Sequence, residues 1–282
     1  MYGLLGPNGS GKSTLFRIVS TALKPTEGSV RIHGADVVRE PDQVRSRIAV
    51  VFQYPSVDEK LTVAENLRHH GYCYGLKGAG LRRVVNEMLE RFDLDQRKND
   101  LVEHLSGGMR RKIEIAKGLL SRPELVLMDE PTTGLDPVAR RDFWELIRQI
   151  NRDEQITFLT TTHLMDEAER CGRVAILDKG HLVAEDSPGR LRSAIGGEVV
   201  EIQSEHTEEL SSGLEQEFEV SPRIIDHTVR FDAREGHHLI PKIIERFPDQ
   251  IQGITLRKPT LEDVFIYHTG HRMEEGATEH AN

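Results

Sequence analysis

Cysteine is scarce: two residues, Cys73 and Cys171, in a chain of 282. They stand far apart, so the sequence offers neither a close-spaced thiolate metal site nor a disulfide framework. Both read as packing residues of a chain kept in a reducing compartment. Long apolar runs are also missing. No stretch approaches the ~20 residues that a bilayer-spanning helix needs. Residues 1–5 run straight into a glycine-rich turn, which is not the pattern of a secretory leader. There is no basic excess either: 37 Lys and Arg face 46 Asp and Glu, for a net charge of −9. That balance argues against a nucleic-acid partner, because general nucleic-acid binders meet phosphate backbones with a basic surface. No internal repeat and no low-complexity block occurs. What is present, 37% hydrophobic and 29% charged residues, suits one large globular domain or two modest ones with a real core.

The hydrophobic pattern alternates between strand and helix periods. Residues 1–5, 29–33, 48–52, 125–128, 156–160 and 174–177 read as strands. Residues 13–23, 63–74, 81–92, 106–120 and 137–150 read as helices, with a loop at 75–80. Lys24-Pro25 ends the first helix, and Pro137 opens the last at its first turn. Strands alternating with helices predict an α/β fold with a mostly parallel sheet covered on both faces. The pattern changes at Gly196-Gly197, taken as a linker. Beyond it the order is strand (199–203), helix (208–217), strand pair (219–224, 228–231), helix (236–246) and strand (251–256). That order predicts a small α+β, ferredoxin-like domain, closed by a helical piece at 261–268. The expected domains are therefore 1–195 and 198–269, with a disordered polar tail at 270–282.

The most specific signal is the run Gly6, Pro7, Asn8, Gly9, Ser10, Gly11, Lys12, Ser13 and Thr14. Its first eight residues match G-x-x-x-x-G-K-[ST] between a strand and a helix. Glycines allow backbone N–H groups to turn inward around phosphate oxygens, and the following helix aims its positive end at them. Lys12 adds a point charge for the outer phosphates. The Ser13 hydroxyl suits Mg²⁺, which prefers oxygen ligands. No Asn-Lys-x-Asp guanine motif follows, which disfavours a small GTPase. Strand 125–128 delivers two acids, Asp129 and Glu130, at its carboxyl end, where open sheets bind ligands. Asp129 suits a metal held through water, and Glu130 suits orienting or deprotonating an attacking water. Ser106, Gly107 and Gly108 open a helix, as either a second anion site or a plain N-cap.

Taken in order, these pieces resemble the nucleotide-binding subunit of ABC transporters. The set is the phosphate loop, Gln53 after a strand, Leu105-Ser106-Gly107-Gly108-Met109, Asp129-Glu130, Gly134-Leu135-Asp136, and His163 after a strand. The likeness covers roughly residues 1–190. It implies a P-loop NTPase fold with a helical subdomain around the Ser106 motif, binding ATP with Mg²⁺ and hydrolysing it. By the same resemblance Gln53 contacts Mg²⁺ and senses a permease, and His163 meets the γ-phosphate and aligns Glu130 with water. Asp136 lies in a loop crossing a dimer interface, and Ser106, Gly107 and Gly108 bind ATP held by a second ATP-binding subunit. The implied partners are that second copy, as a homodimer, and an integral membrane permease. The implied place is the cytoplasmic face of the cell membrane.

A closer likeness is to the daunorubicin-resistance type of multidrug export subunit. It rests on the stretch from Gln53 through Thr62 to Leu67, on Met109-Arg110-Arg111 in place of the commoner glutamine pattern, and on Lys258-Pro259-Thr260-Leu261-Glu262-Asp263-Val264-Phe265. Chains of this family carry further strands and an adenine-stacking aromatic upstream of the phosphate loop. Their absence here is expected to reflect a misassigned start or a truncated, weaker ATP binder. Other readings are a non-transport regulator of the same family and a nucleotide-binding module that does not turn over.

Overall fold

A computed structural model describes residues 1–225 and 227–273 of the chain. It divides into two compact units, residues 1–5 with 11–170, and residues 6–10 with the described residues from 171 to 273.

The first unit contains β1 (Tyr2–Leu5), α1 (Lys12–Val19), β2 (Arg31–Ile32), β3 (Ala35–Asp36), α2 (Pro41–Arg45) and β4 (Ile48–Val51). It continues through α3 (Val63–Cys73), α4 (Gly78–Arg91), α5 (Gly107–Leu119), β5 (Leu125–Asp129), α6 (Pro137–Glu154), β6 (Thr157–Thr162) and α7 (Met165–Ala168). Strands β4, β5, β6 and β1 run parallel in that order. Their apolar runs are continuous because both faces are covered. Val126 and Met128 point into a core with Trp144, Ile147 and Phe158, while Leu127 between them joins Phe16, Val44 and Ile48 on the opposite face.

Register carries the functional consequence. Val51 pairs with Met128, Asp129 with Thr161, and Leu5 with Thr162. The carboxyl ends of all four strands therefore finish level. Each delivers its next residues to one edge: the phosphate loop after β1, Gln53 after β4, Glu130 after β5 and His163 after β6.

The second unit contains β7 (Arg173–Asp178), β8 (His181–Asp186), α8 (Pro188–Ile195), β9 (Glu198–Gln203), α9 (Thr207–Phe218), β10 (Arg223–Ile225), β11 (Thr228–Ala233), α10 (Gly236–Arg246), β12 (Gly253–Arg257) and α11 (Leu261–Thr269). Strands β7 and β8 form an antiparallel hairpin. An antiparallel sheet in the order β10-β11-β9-β12 packs Val200, Ile202, Val229 and Phe231 against Leu210, Leu214 and Ile243 of α9 and α10. This is the ferredoxin-like strand-helix-strand-strand-helix-strand order.

Several sequence expectations need correction. Cys171 is buried, but Cys73 is exposed at the end of α3 and is not a core residue. The loop foreseen at 75–80 is shorter, because α4 starts at Gly78. Elements β3, α2, β8 and α8 were not foreseen. Two of them are very short, and β8 leaves His181 and Leu182 exposed, so it lacks the alternation of a half-buried strand. Helix α8 did carry a signal: Ser187 accepts from the Arg190 N–H, and Pro188 occupies the first turn. Packing of α11 on α8 and β8 groups these elements with the second unit, ahead of the sheet change at Gly196. The tail expected to be disordered begins in contact. Gly270 closes α11 at φ 78°, and His271 Nε2 lies 3.4 Å from Asp178 Oδ2. Residues 274–282 lie outside the described residues.

Candidate functional site

The site begins at the loop after β1. Gly9 and Gly11 hold φ of +80° and +99°, a left-handed backbone that a side chain would strain. Gly6 has no room for a Cβ, which would fall 2.3 Å from the Leu177 carbonyl oxygen. Ser10 is buried with its hydroxyl unpartnered. Helix α1 follows Gly11 as its N-cap, with no side-chain cap and no acid in its first turn. The positive end of its dipole thus faces the loop with no acid competing for it, as an anion site requires. Lys12 is 4% exposed. Burial lowers its pKa, against the pull of Glu130 and Asp129. A buried ammonium beside two acids, next to an uncapped helix start, fits a phosphate-bearing ligand. Ser13 and Thr14 lie exposed at the same helix start.

Glu130 is the centre of the second part. It sits at φ 41°, left-handed for a non-glycine residue, as the chain leaves β5. Its N–H donates to Thr161 Oγ1 at 3.0 Å, and that hydroxyl donates to Asp129 Oδ1 at 2.5 Å. One threonine on β6 therefore orients both acids. On the carboxylate, His163 Nδ1 lies 3.2 Å from Oε1, while Gln53 Nε2 donates to Oε2 at 3.3 Å and Thr133 Oγ1 at 3.4 Å. The His163 contact holds the Glu130 carboxyl below its ordinary value despite partial burial, with Lys12 and Thr133 assisting. The same contact raises His163, against burial. Both shifts favour the charged pair.

Sequence reasoning had selected Gln53, Asp129, Glu130 and His163 separately, and the parallel register brings them together. It missed Thr161. The run Thr160-Thr161-Thr162 at the end of a strand was the available signal, because consecutive hydroxyls are rarely buried without partners. Thr162 and Thr132 both donate to the buried carboxylate of Glu167, which braces the turn around His163. Ser13, Gln53 and Asp129 each offer a hard oxygen donor of the kind that Mg²⁺ takes. Among the described residues no cluster of three or more His, Cys, Asp or Glu is placed to hold a metal by itself.

Ser106, Gly107, Gly108 and Asp136 stand apart from this cluster. Ser106 caps α5, accepting from the Met109 N–H at 3.3 Å, and Asp136 caps α6, accepting from Val138 and Ala139 at 3.0 Å each. Both are exposed, as is Gly107. A Cβ on Gly108 would lie 3.2 Å from that of Ala139, so glycine permits the close approach of α5 to α6. The capping role of Ser106 is thus realised, and its free face remains available to a ligand.

Comparison with known proteins gives the family and the fold. A family model described as ABC transporter matches residues 1–133. The daunorubicin/doxorubicin resistance ATP-binding protein DrrA of Streptomyces peucetius is 36% identical over 291 residues, spanning 100% of this chain and 87% of that protein. A Nod factor export ATP-binding protein I of Cupriavidus pinatubonensis is 38% identical over 278 residues, 97% of this chain and 83% of that protein. Among solved structures, the ATP-binding cassette MJ0796, a dimer in a post-hydrolysis state bound to ADP and Pi, superposes with a TM-score of 0.59 at 29% identity. The match covers 66% of this chain and 84% of that one. The cbiO1 protein of Clostridium perfringens shares the fold, with a TM-score of 0.64 at 24% identity over 77% of this chain and 84% of that one.

Proposed function

Because this chain belongs to the ATP-binding subunits of ABC transporters, we propose that it hydrolyses Mg²⁺-ATP at the level edge of its parallel strands to drive export through a separate membrane permease. Residues 6–14 hold the phosphates, with Lys12 neutralising their charge. Ser13, Gln53 and Asp129 would hold Mg²⁺, which would draw charge from the phosphate oxygens. Glu130 orients the water that attacks the γ-phosphorus, releasing ADP and phosphate. Its depressed pKa keeps it ionised and ready to accept a hydrogen bond from that water. His163 holds Glu130 and is poised to reach the γ-phosphate.

The observation that carries the reading is the Glu130 carboxylate, held by His163 and Gln53 beside a buried Lys12. The experiment is Glu130→Gln. ATP binding should stay near wild type, while turnover falls at least ~10²-fold, the scale of losing a general base or water-orienting group. Unchanged turnover would remove Glu130 from the reaction.

Export is supported by the full-length likeness to a drug-resistance subunit and a Nod factor export subunit. Among the described residues no helix is long and apolar enough to cross a membrane. The proposed partners are accordingly an integral membrane permease and a second ATP-binding subunit, placing the chain at the cytoplasmic face of the membrane. The exposed starts of α5 and α6, with Ser106, Gly107, Gly108 and Asp136, are the surfaces proposed to meet the second subunit's nucleotide.

A further inference from the structure

Helix α5 buries three charged side chains at three-residue spacing, Arg111, Glu114 and Lys117, at 4%, 4% and 7% exposure. Residues three apart share a helix face. Burying ionic groups gains little over apolar ones of similar size, so their presence calls for a positional explanation. Their partners supply it. The Arg111 guanidinium donates to three backbone carbonyls: Pro131 through Nε, Phe52 through Nη1 at 2.7 Å and Glu130 through Nη2 at 3.5 Å. Phe52 is the residue before Gln53, and the other two carbonyls belong to the left-handed turn at Glu130. A single planar fork therefore ties the two segments whose side chains meet at 3.3 Å. Glu114 and Lys117 grip the same loop three residues further on. Glu114 accepts from the Ser56 N–H at 2.7 Å and its hydroxyl at 3.0 Å, and Lys117 donates to the Ser56 carbonyl at 2.8 Å.

We infer that Arg111 is a positioning residue that sets the Gln53–Glu130 contact, with the Glu114–Lys117 pair as a second clamp on the Gln53 loop. The inference rests on the reading of Glu130 and Gln53 as hydrolysis residues. Because both clamps sit on α5, whose start exposes Ser106 and Gly107, this helix is a strut between that start and the water-orienting carboxylate.

The test uses Arg111→Lys in the full chain. It keeps the charge but loses the planar fork, so it cannot hold three carbonyls at once. Misplacement of a catalytic group by about an ångström costs on the order of 10²-fold in rate. We therefore expect kcat to fall ~10–100-fold, with KM and the Kd for ATP within about twofold and the thermal midpoint kept. Gln53→Ala should lower kcat in the wild type and add nothing further in Arg111→Lys, because the contact is already lost. A fully active Arg111→Lys beside an inert Glu130→Gln overturns this inference alone, whereas an active Glu130→Gln overturns the functional reading. Independent, multiplying effects of Arg111→Lys and Gln53→Ala also overturn the inference, as does a kcat loss matched by equal loss of ATP binding and of folded protein. Should Arg111→Lys not fold, the Glu114→Gln/Lys117→Met double variant carries the same test. Its kcat must drop with ATP affinity kept, and unchanged kcat overturns the inference.

Discussion

At the scale of single residues, the Glu130–His163 pair has a defined pH behaviour. His163 is raised above 6.5, and Glu130 is lowered below 4.5. The histidine's stabilising contribution is fully present below 6.5 and fades as pH climbs through its raised folded value. The glutamate's contribution is present above 4.5 and fades as pH falls through its depressed folded value. Both are complete between 4.5 and 6.5. An NMR titration of the His163 ring should therefore give a midpoint above 6.5 in the wild type. In Glu130→Gln, burial and Lys12 act unopposed by the carboxylate, and the midpoint should drop. A midpoint indifferent to that change would contradict the pairing. Glu130 was legible in the sequence as an acid at the end of an apolar strand, and Gln53 and His163 through their place in the ordered set of family motifs. Their mutual contact was not, since Gln53 and Glu130 are 77 positions apart and only sheet register joins them.

Strand β6 shows the same division at the scale of an element. Its apolar residues Phe158 and Leu159 announce a strand, and register against β5 then sets Thr161 opposite Asp129. Thr161→Val keeps the shape but removes the hydroxyl. It leaves the Glu130 N–H without its acceptor and frees the Asp129 carboxylate. A buried unsatisfied donor costs about 1–3 kcal/mol, so urea midpoints should fall accordingly. The ATPase should also need more Mg²⁺ for half-maximal rate, while Thr161→Ser restores both. Wild-type Mg²⁺ dependence in Thr161→Val would show that Asp129 is oriented by other means. In the second unit, the Thr260–Asp263 capping box that begins α11 is also a charge hub: Arg257 and Arg230 both bond Asp263, which is wholly buried. The capping pattern is readable from Thr-x-x-Asp. The two arginines come from β12 and β11, and sequence spacing does not point to them.

For the whole molecule, the exposed starts of α5 and α6 are the surfaces proposed to meet a second copy. Glu130→Gln, unable to clear ATP, should elute at twice the monomer mass with Mg²⁺-ATP and as a monomer without it. Ser106→Arg in that background places a bulky cation at the exposed α5 start and should return the ATP-loaded protein to monomer. A Glu130→Gln protein that stays monomeric at saturating ATP would rule out the two-subunit site. The relative MJ0796, a dimer with ADP and Pi, supports this expectation.

The sequence by itself determined the chemistry that residues 6–14 support and the alternation of strand and helix. Both depend on local rules: glycines that permit a left-handed loop, and apolar spacing that permits one element or another. It also determined which acids and amide would end the strands. The tertiary structure alone decided that these ends finish level, that Thr161 serves both Asp129 and Glu130, and that Arg111 ties the Gln53 loop to the Glu130 turn. These are non-local facts of register and packing. Hydrogen bonds between residues tens of positions apart exist only once the sheet has closed, and no period in the chain encodes them.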